Sequence, residues 1–291
     1  MGLLAWFGGY SMCSIFKYGS TVGRNFDYEV SYKEELRLIE RADNPFSPKY
    51  DIIGMVTGYS EYPLLYDGMN SNGLVVGGLA FTGNAFYVHS DANDKLHIPS
   101  YDFTLRILSE CGSVKEAKEL LDYAVITDAT YKDFDDTDLH WFIADKDESI
   151  IVEQTKDGLH YYDGSVMTNN PPYPTQRDEY EKFKDLIGDE EYYKDIYNTR
   201  GMETEGLDGS YTSDGRFERL SWLKRKLEQS ENSFNPVSQA FHLCSSVEQI
   251  YGATPVKDKY EYTIYSVVYD MKNKCMYLKF YDGTNIRESC L

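Results

Sequence analysis

The residue best suited to covalent chemistry in this sequence is Cys13, near the start of the chain. If the chain began at Cys13, its own α-amine would lie beside its thiol. The ordinary pKa of an α-amine is about 8, so this amine can act as a general base without a histidine. Arg24 and Asp27 follow in the motif "GRNFD" and could balance the thiolate charge and hold the amine. The pattern favours an N-terminal nucleophile.

Other interpretations of Cys13 stay open on the residues alone. Cysteine is among the most buried residue types, so a packing role in an N-terminal strand is equally compatible. A papain-like Cys–His hydrolase is another alternative, since histidines occur at positions 89, 97, 140, 160 and 242, but no local signature supports it. His140 and His160 lie beside aromatic residues in predicted strands, where we expect structural roles. The motifs GxSxG, HExxH and GxxxxGK[ST] do not occur.

Composition excludes several classes of function. The 291 residues carry 48 acidic and 29 basic side chains and a net charge of -19, which argues against nucleic-acid partners and anionic membrane surfaces. The sequence has no uninterrupted apolar run long enough to span a membrane. The five cysteines are odd in number and form no CxxC pair, which predicts a reduced, cytoplasmic location and no structural zinc. We expect packing or surface roles for Cys111, Cys244, Cys275 and Cys290.

The element that must position Cys13 is a predicted hairpin. Gly19 and Ser20 form a plausible turn between "MCSIFKY" and "STVGRNFDY", so Arg24 and Asp27 would lie on the strand paired with the one that follows Cys13. The segments "ELRLIER", "YDIIGMV" and "LVVGGLAF" read as further strands, and Asn72-Gly73 is the turn before the last of them. The first third of the chain is therefore predicted to be β-structure.

Helices and strands then alternate in blocks. Ser113 and Glu116 have capping-box spacing at the start of "SVKEAKELLDYA", and "PSYDFTLRILSEC" reads as a partner helix. Strands "DLHWFIAD", "SIIVEQT" and "GLHYYDG" precede three predicted helices around 176–187, 216–229 and 236–246. The segments "YTIYSVVYD" and "CMYLKFYDG" form a final hairpin. This order predicts an α+β fold with packed antiparallel sheets covered by helices, in one domain.

Several blocks in order make the sequence resemble the choloylglycine hydrolase family, which includes conjugated bile acid hydrolases and penicillin V acylases. The similar segments are "MCSIF…GRNFDYE", "YPLLYDGMNSNGLVVGGLAF", "DLHWFIADKDESIIVEQTKDG", "VMTNNPPY", "GSYTSDGRFERL" and "DKYEYTIYSVVYDMKNKCMYLKFYDG", and they run from about Met12 to Asn285. The resemblance implies the four-layer αββα sandwich of N-terminal-nucleophile hydrolases, which agrees with the predicted element order.

The resemblance also implies a set of catalytic residues. Cys13 would be the nucleophile and, through its amine, the base, while Arg24 and Asp27 would orient its thiol and amine. Asn169 of "MTNNP" would donate its side-chain amide to an oxyanion, and Arg216 of "GRFERL" would complete the charge network. Taken singly, Arg24 and Asp27 could equally be a strand-end ion pair. Asn169 could be a turn residue, and Arg216 a solvated helix arginine. Their occurrence in family order favours the catalytic interpretation.

The clues to substrate lie at four positions. Family members usually carry Asn or Tyr where this chain has Ala80, whose backbone N–H could still serve as an oxyanion donor. Tyr66 of "LLYDG" resembles the acylases and would narrow the acyl pocket. Phe26 and Tyr59 fall where family members line that pocket, although each is also an ordinary core aromatic type. These clues favour flat or flexible acyl groups over a rigid steroid.

The sequence therefore predicts a cysteine amidohydrolase that cleaves linear, non-peptide amides of N-acyl compounds, similar to penicillin V acylase. The alternatives are a hydrolase of glycine- or taurine-conjugated bile acids, a hydrolase of other N-acyl amides such as acyl-homoserine lactones, and a catalytically silent relative that binds acyl amides. No metal or cofactor is implied, and the family resemblance implies a homo-oligomer, often a tetramer. We expect residues 1–12 to be a leader that is removed and residues 13–291 to form the mature domain.

Overall fold

A computed structural model of the chain describes residues 12–47, 49–89, 94–132, 137–184, 187, 204 and 206–291. Two seven-stranded antiparallel sheets lie at its centre. Most of the buried apolar side chains come from these sheets and the helices packed on them, and they form one continuous core. Of the functional residues predicted above, Arg24, Phe26, Asp27, Tyr66 and Ala80 lie on strands of these sheets.

The first sheet joins strands from the two ends of the chain. Its members are β1 (Ser14–Tyr18), β2 (Thr21–Tyr28), β12 (Val166–Met167), β13 (Thr254–Val256), β14 (Lys259–Asp270), β15 (Cys275–Phe280) and β16 (Arg287–Cys290). Their order is β12-β1-β2-β14-β15-β16, and β13 pairs with β14. The register of β14 on β2 shifts between Thr263 and Tyr265, a bulge that lies next to the functional residues of β2.

The second sheet is built from the middle of the sequence. Its members are β3 (Glu35–Ile39), β4 (Ile52–Val56), β5 (Leu65–Asn70), β6 (Val75–Ala80), β9 (Leu139–Ala144), β10 (Ser149–Thr155) and β11 (Gly158–Asp163). Their order is β11-β10-β9-β6-β5-β4-β3. A short parallel pair, β7 (Leu96–Pro99) and β8 (Ala124–Thr127), stands beside it.

Helices cover the outer faces of both sheets. They are α1 (Phe103–Glu110), preceded by a 3-10 turn at Ser100–Asp102, α2 (Val114–Leu121), α3 (Tyr173–Phe183), α4 (Ser213–Gln229) and α5 (Pro236–Ser246). Helix α1 packs on β5 and β6 of the second sheet, whereas α4 and α5 pack on strands of the first sheet. The layers run helix, sheet, sheet, helix, which confirms the predicted α+β fold and αββα sandwich.

The inner faces of the two sheets approach each other closely near β6. A Cβ atom on Gly77 would lie only 2.7 Å from Cδ1 of Ile15 on β1, so a side chain here would require the end of Ile15 to move. The buried Arg24 of the first sheet also contacts Asp67 of the second. The sheets are thus fixed to each other beside Cys13.

Most predicted elements are confirmed, because their signals are local. Gly19 adopts a φ of 55° in the first hairpin, and Gly73 adopts 90° in the turn before β6. The N-cap of α2 is Ser113, whose side chain accepts from the backbone of Glu116. Helices α3 and α4 begin three residues earlier than predicted, at Tyr173 and Ser213, and the predicted end of α3 lies partly outside the described residues.

The structure pairs two of the cysteines, which the sequence does not predict. Cys275 and Cys290 face each other in register on β15 and β16 and form a disulfide. A spacing of this kind carries no motif, so only the strand pairing shows it. Cys111 and Cys244 are buried thiols, in agreement with the packing role predicted for them. The inference of a reduced location therefore loses part of its basis.

Among the described residues, no helix has the length and apolar character needed to cross a membrane.

Candidate active site

Cys13 lies immediately before β1 and is fully buried. Its Sγ is 3.8 Å from the backbone oxygen of Asp27, so the thiol can donate a weak hydrogen bond there. Its own carbonyl oxygen accepts from Nη1 of Arg216 on α4, and the same nitrogen donates to Oγ of Ser14 at 2.7 Å. The start of β1 is thereby held by the paired strand and by a helix distant in sequence.

Residues of β2 alternate between the two faces of the first sheet. Arg24 points into the space between the sheets, where its guanidinium carbon lies 5.4 Å from the ring centroid of Phe26. Asn25 points to the helix layer and donates to the carbonyl of Cys244 on α5 at 2.9 Å. Asp27 lies two residues after Asn25 on the strand, so its side chain points to the same face of the sheet. The two charged residues of "GRNFD" therefore lie on opposite faces and enter different networks.

Arg24 belongs to a network that crosses between the sheets. Its guanidinium donates to the carboxylate of Asp67, to the carbonyl of Tyr66 at 2.7 Å and to the carbonyl of Gly78 at 2.6 Å. Burial lowers the pKa of Arg24, but the charge of Asp67, followed by smaller contributions that include Cys13, raises it above its ordinary value. Arg24 is consequently a permanent buried cation near the thiol.

The carboxylate of Asp67 is completed by two tyrosines of β14. The hydroxyl of Tyr265 donates to Oδ2 at 2.6 Å, and the hydroxyl of Tyr269 donates to Oδ1. Burial, reinforced by Asp67, raises the pKa of both hydroxyls well above the ordinary value, so both remain donors. Arg24, Asp67, Tyr265 and Tyr269 form what we call the inter-sheet network.

Asp27 belongs to a second network on the helix side. Its carboxylate accepts from Oγ1 of Thr263 at 2.6 Å and from Nε2 of Gln249 at 3.0 Å. Burial raises the pKa of Asp27 to about 6, and Arg216, Thr263 and Gln249 oppose this rise. We call Asp27, Arg216, Gln249, Glu261 and Thr263 the helix-side network.

Arg216 and Asn169 are brought together at the carbonyl of Cys13. Nη2 of Arg216 donates to Oδ1 of Asn169 at 3.0 Å, which orients the amide so that its Nδ2 donates to the carbonyl of Ala80 at 2.9 Å. Burial lowers the pKa of Arg216, while Asp27, Glu261 and Cys13 act in the opposite direction. A side-chain amide with fixed orientation is the type of group that can stabilise an oxyanion.

The backbone N–H of Ala80 is directed by the sheet register. Phe81 donates its N–H to the carbonyl of Asp138, next to the Ala80–Leu139 pair of β6 and β9. Because N–H groups alternate along a strand, the N–H of Ala80 points to the other edge of β6, beyond its last pair with β5 at Gly77. It is thus not used in the pairing with β9.

The three aromatic residues predicted to line a pocket separate into two groups. Phe26 is buried between the rings of Tyr66, at 4.8 Å, and Tyr265, at 5.1 Å. Tyr66 is 2% exposed, so Phe26 and Tyr66 together form the aromatic wall beside Arg24. Tyr59 lies apart at the surface, 47% exposed, with Nζ of Lys33 above its ring.

Sequence reasoning missed Asp67, Gln249, Glu261 and Thr263. Oε1 of Glu261 accepts from the backbone N–H of Met12 at 2.5 Å, and burial together with Asp27 raises the pKa of Glu261 to about 8. Nε2 of Gln249 also donates to the carbonyl of Met12 at 3.2 Å. A carboxylate inside the aromatic strand "YEYTIYS" was the available signal for Glu261, since buried carboxylates are rare.

Of the two histidines predicted to be structural, His140 is buried against the ring of Phe81 at a centroid distance of 4.4 Å. Its Nδ1 is 3.2 Å from Oε1 of Glu153, which also accepts from the backbone of Tyr173. His140 is thus packed in the core of the second sheet, and Glu153 links it to the start of α3.

Comparisons with known proteins agree with this geometry. The family model described as "Linear amide C-N hydrolases, choloylglycine hydrolase family" matches residues 14–291. A bile salt hydrolase/transferase of Lactiplantibacillus plantarum is 36% identical over 292 residues, covering 94% of this chain and 90% of that protein.

Solved structures show the same similarity in three dimensions. A cysteine-to-alanine mutant of conjugated bile acid hydrolase from Clostridium perfringens has a TM-score of 0.87 at 27% identity, covering 97% of this chain and 92% of that one. Penicillin V acylase from Agrobacterium tumefaciens shares the fold, with a TM-score of 0.69 at 20% identity, covering 96% and 86% of the two chains.

Proposed function

Since the chain belongs to the choloylglycine hydrolase family and is therefore a hydrolase of linear amide C–N bonds, we propose that Cys13 is its nucleophile. The observation that carries this proposal is the convergence on Cys13 of both buried networks. Arg216 holds its carbonyl, the backbone of Asp27 accepts from its thiol, and Arg24 is close enough to contact its sulfur.

The proposed reaction has two halves. In the first, the α-amine of Cys13 takes the thiol proton, the thiolate attacks the substrate carbonyl, and the C–N bond breaks as the amine leaves with a proton. In the second, water attacks the thioester, which releases the acid and regenerates the thiol. The oxyanion of each tetrahedral intermediate would accept from Nδ2 of Asn169 and from the N–H of Ala80. Losing one such donor typically costs about 10²–10³ in rate.

The charged groups have separate roles in this scheme. Arg24 stabilises the thiolate from the inter-sheet side, because its own charge is fixed by Asp67. Asp27 holds the ammonium form of the α-amine on the helix side. Arg216 donates hydrogen bonds to the side chain of Asn169 and to the carbonyl of Cys13, which fixes their relative position.

The scheme requires that residues 1–12 are absent from the active enzyme, because an amide nitrogen cannot act as a base. We therefore propose that residues 13–291 are the mature domain. The leader would be lost by self-cleavage, or translation would start at Met12 and that methionine would be trimmed.

We propose conjugated bile acids as the leading substrate class, because the relative of 36% identity carries the name bile salt hydrolase/transferase. Penicillin-V-like amides are the second candidate. They are favoured by Ala80, which offers no polar side chain, and by the Phe26–Tyr66 wall, which leaves the interior beside Arg24 filled with aromatic rings. The likeness to penicillin V acylase itself carries the fold alone.

Two measurements test these proposals. Cys13→Ala should abolish hydrolysis of every amide tested, while the matched change at another buried thiol, Cys111→Ala, should leave turnover within a few-fold. The kcat/KM values for glycocholate and for phenoxymethylpenicillin, measured side by side, decide the substrate class. A higher value for glycocholate supports the bile acid proposal, and the reverse order replaces it with the acylase.

A homotetramer and a cytoplasmic location remain predictions from the resemblance and the composition. The Cys275–Cys290 disulfide weakens the second, because such bonds persist mainly in oxidising compartments.

A further inference from the structure

The backbone of Met12 is held on both sides by buried side chains. Its N–H donates to Oε1 of Glu261 at 2.5 Å, and its carbonyl accepts from Nε2 of Gln249 at 3.2 Å. Glu261 is 1% exposed and Gln249 is fully buried. Hydrogen bonds to the two backbone groups of one residue fix its backbone conformation, so the bond between Met12 and Cys13 has a defined orientation.

Gln249 is itself rigidly positioned. Its side-chain oxygen accepts from Oγ1 of Thr254 at 3.1 Å, and its amide nitrogen also donates to Asp27 at 3.0 Å. Its backbone N–H and carbonyl pair with Thr263, through the hydroxyl at 2.8 Å and the N–H at 3.1 Å. The amide hydrogen directed at Met12 therefore needs no rearrangement to act, which is the property that makes an oxyanion donor effective.

The carbonyl of Met12 is the one that must be attacked to expose the amine of Cys13. We propose that Gln249 and Glu261 form a processing clamp that holds Met12 for cleavage of the Met12–Cys13 bond by Cys13 itself. The inference rests on the proposed function, which requires that amine. Gln249 touches the reacting carbonyl and acts as a catalytic residue, whereas Glu261 accepts from the N–H of Met12 and is a positioning residue.

The chemistry balances without a co-reactant other than water. Sγ of Cys13 attacks the Met12 carbonyl through a five-membered ring, and negative charge develops on the oxygen that Gln249 faces. The C–N bond breaks, its nitrogen takes the thiol proton, and a thioester to Met12 remains. Water then hydrolyses the thioester, leaving a carboxylic acid on Met12 and the thiol and α-amine on Cys13.

The test follows loss of residues 1–12 from the full-length chain by intact mass at successive times after synthesis. Gln249→Ala should slow this loss by about 10²-fold or more, since a fixed oxyanion donor is removed. Glu261→Leu should also slow it, whereas Glu261→Gln, which keeps an acceptor oxygen for the N–H, should process at close to the wild-type rate.

Two controls separate the clamp from instability and from foreign proteases. Glu153→Leu makes the same change at another buried carboxylate, away from Met12, and should not retain the leader. Cys13→Ala should retain it completely. Loss of the leader from Gln249→Ala and Glu261→Leu at the wild-type rate, or from Cys13→Ala, would overturn the clamp.

Failure of the clamp is distinguishable from failure of the proposed function. A fusion cleaved so that Cys13 becomes the first residue bypasses processing. If the cleaved fusion product hydrolyses N-acyl amides but the Gln249 and Glu261 variants lose the leader at the wild-type rate, the clamp is wrong and the proposed function stands. A fusion product without hydrolase activity contradicts the function itself.

Discussion

The two faces of β2 carry two buried networks that differ in how their charged groups are paired. The inter-sheet network pairs one cation, Arg24, with one carboxylate, Asp67, whose oxygens also accept from two tyrosines. The helix-side network places two carboxylates, Asp27 and Glu261, around the single cation Arg216. One network is balanced in charge and the other is not.

The pKa values follow this difference. Asp67 raises the pKa of Arg24 above its ordinary value, so its charge is secure. Burial raises the pKa of Asp27 to about 6 and that of Glu261 to about 8, so these carboxylates hold protons more tightly than usual. The α-ammonium of a mature Cys13 would favour their ionised forms. Perturbed groups of this kind cluster where chemistry is done.

The largest effect is expected on stability, when the balanced inter-sheet network is broken. Asp67→Ala leaves Arg24 buried without its partner, which should lower the free energy of unfolding by about 3–5 kcal/mol. Urea denaturation measures this. The control is Asp51→Ala, which removes a partly exposed pair with Arg41 and should cost about 0–1 kcal/mol. Equal losses in the two variants would show that the inter-sheet network does not stabilise the fold.

The next effect concerns activity rather than stability. Asn169→Ala removes the amide that Arg216 orients, and kcat should fall by about 10²–10³. The unfolding midpoint should move much less than in Asp67→Ala. Asn84→Ala, which removes a nearby amide that donates to Asn170, should leave kcat within a few-fold. An unchanged kcat in Asn169→Ala would exclude this amide from the oxyanion site.

A smaller effect reports the unbalanced carboxylates through pH. The pKa of Glu261 is raised from 4.5 to about 8, so its contribution to stability is fully present below about pH 4.5 and is lost as pH rises to about 8. The measurement is the thermal midpoint of Cys13→Ala, which keeps Met12, against pH. Adding Glu261→Gln should flatten the decline between pH 6 and 8. Parallel curves would contradict the assignment.

The smallest expected effect concerns the acid side of the activity profile. The pKa of Asp27 is raised to about 6, and its carboxylate form is needed to hold the amine. In the mature enzyme the neighbouring α-ammonium lowers this pKa towards its ordinary value of 3.8, so kcat/KM should fall only as pH drops below about 6. The pH profile of the mature enzyme checks this, and a profile that stays flat down to about pH 3.8 would remove Asp27 from the scheme.

Local signals allowed much of the fold to be predicted. The first hairpin follows from a glycine turn, and α5 was predicted at its observed bounds because Pro236 begins it and its pattern is helical. The strands β5, β7, β8, β12, β13 and β16 were not predicted. Five of them have only two to four residues, which carry too little periodicity, and β5 contains Asp67, Gly68 and Asn70, residue types that are depleted in strands.

The site could be predicted only where a motif existed. The segments that resemble the family contain Cys13, Arg24, Asp27, Asn169 and Arg216, and the structure brings these residues together. The pairing of β2 with β14 depends on contacts between opposite ends of the chain, which no local pattern reports. For the same reason the contact of Met12 with Glu261, 249 positions apart, was missed, and so was the Cys275–Cys290 disulfide.

The central claim, that Cys13 attacks the substrate once its α-amine is exposed, is tested most directly by mass spectrometry of the enzyme quenched during turnover. The account predicts an active protein that lacks residues 1–12 and an acyl group on the N-terminal peptide that begins at Cys13. An active chain that still carries Met12, or an acyl group on any other residue, would contradict it.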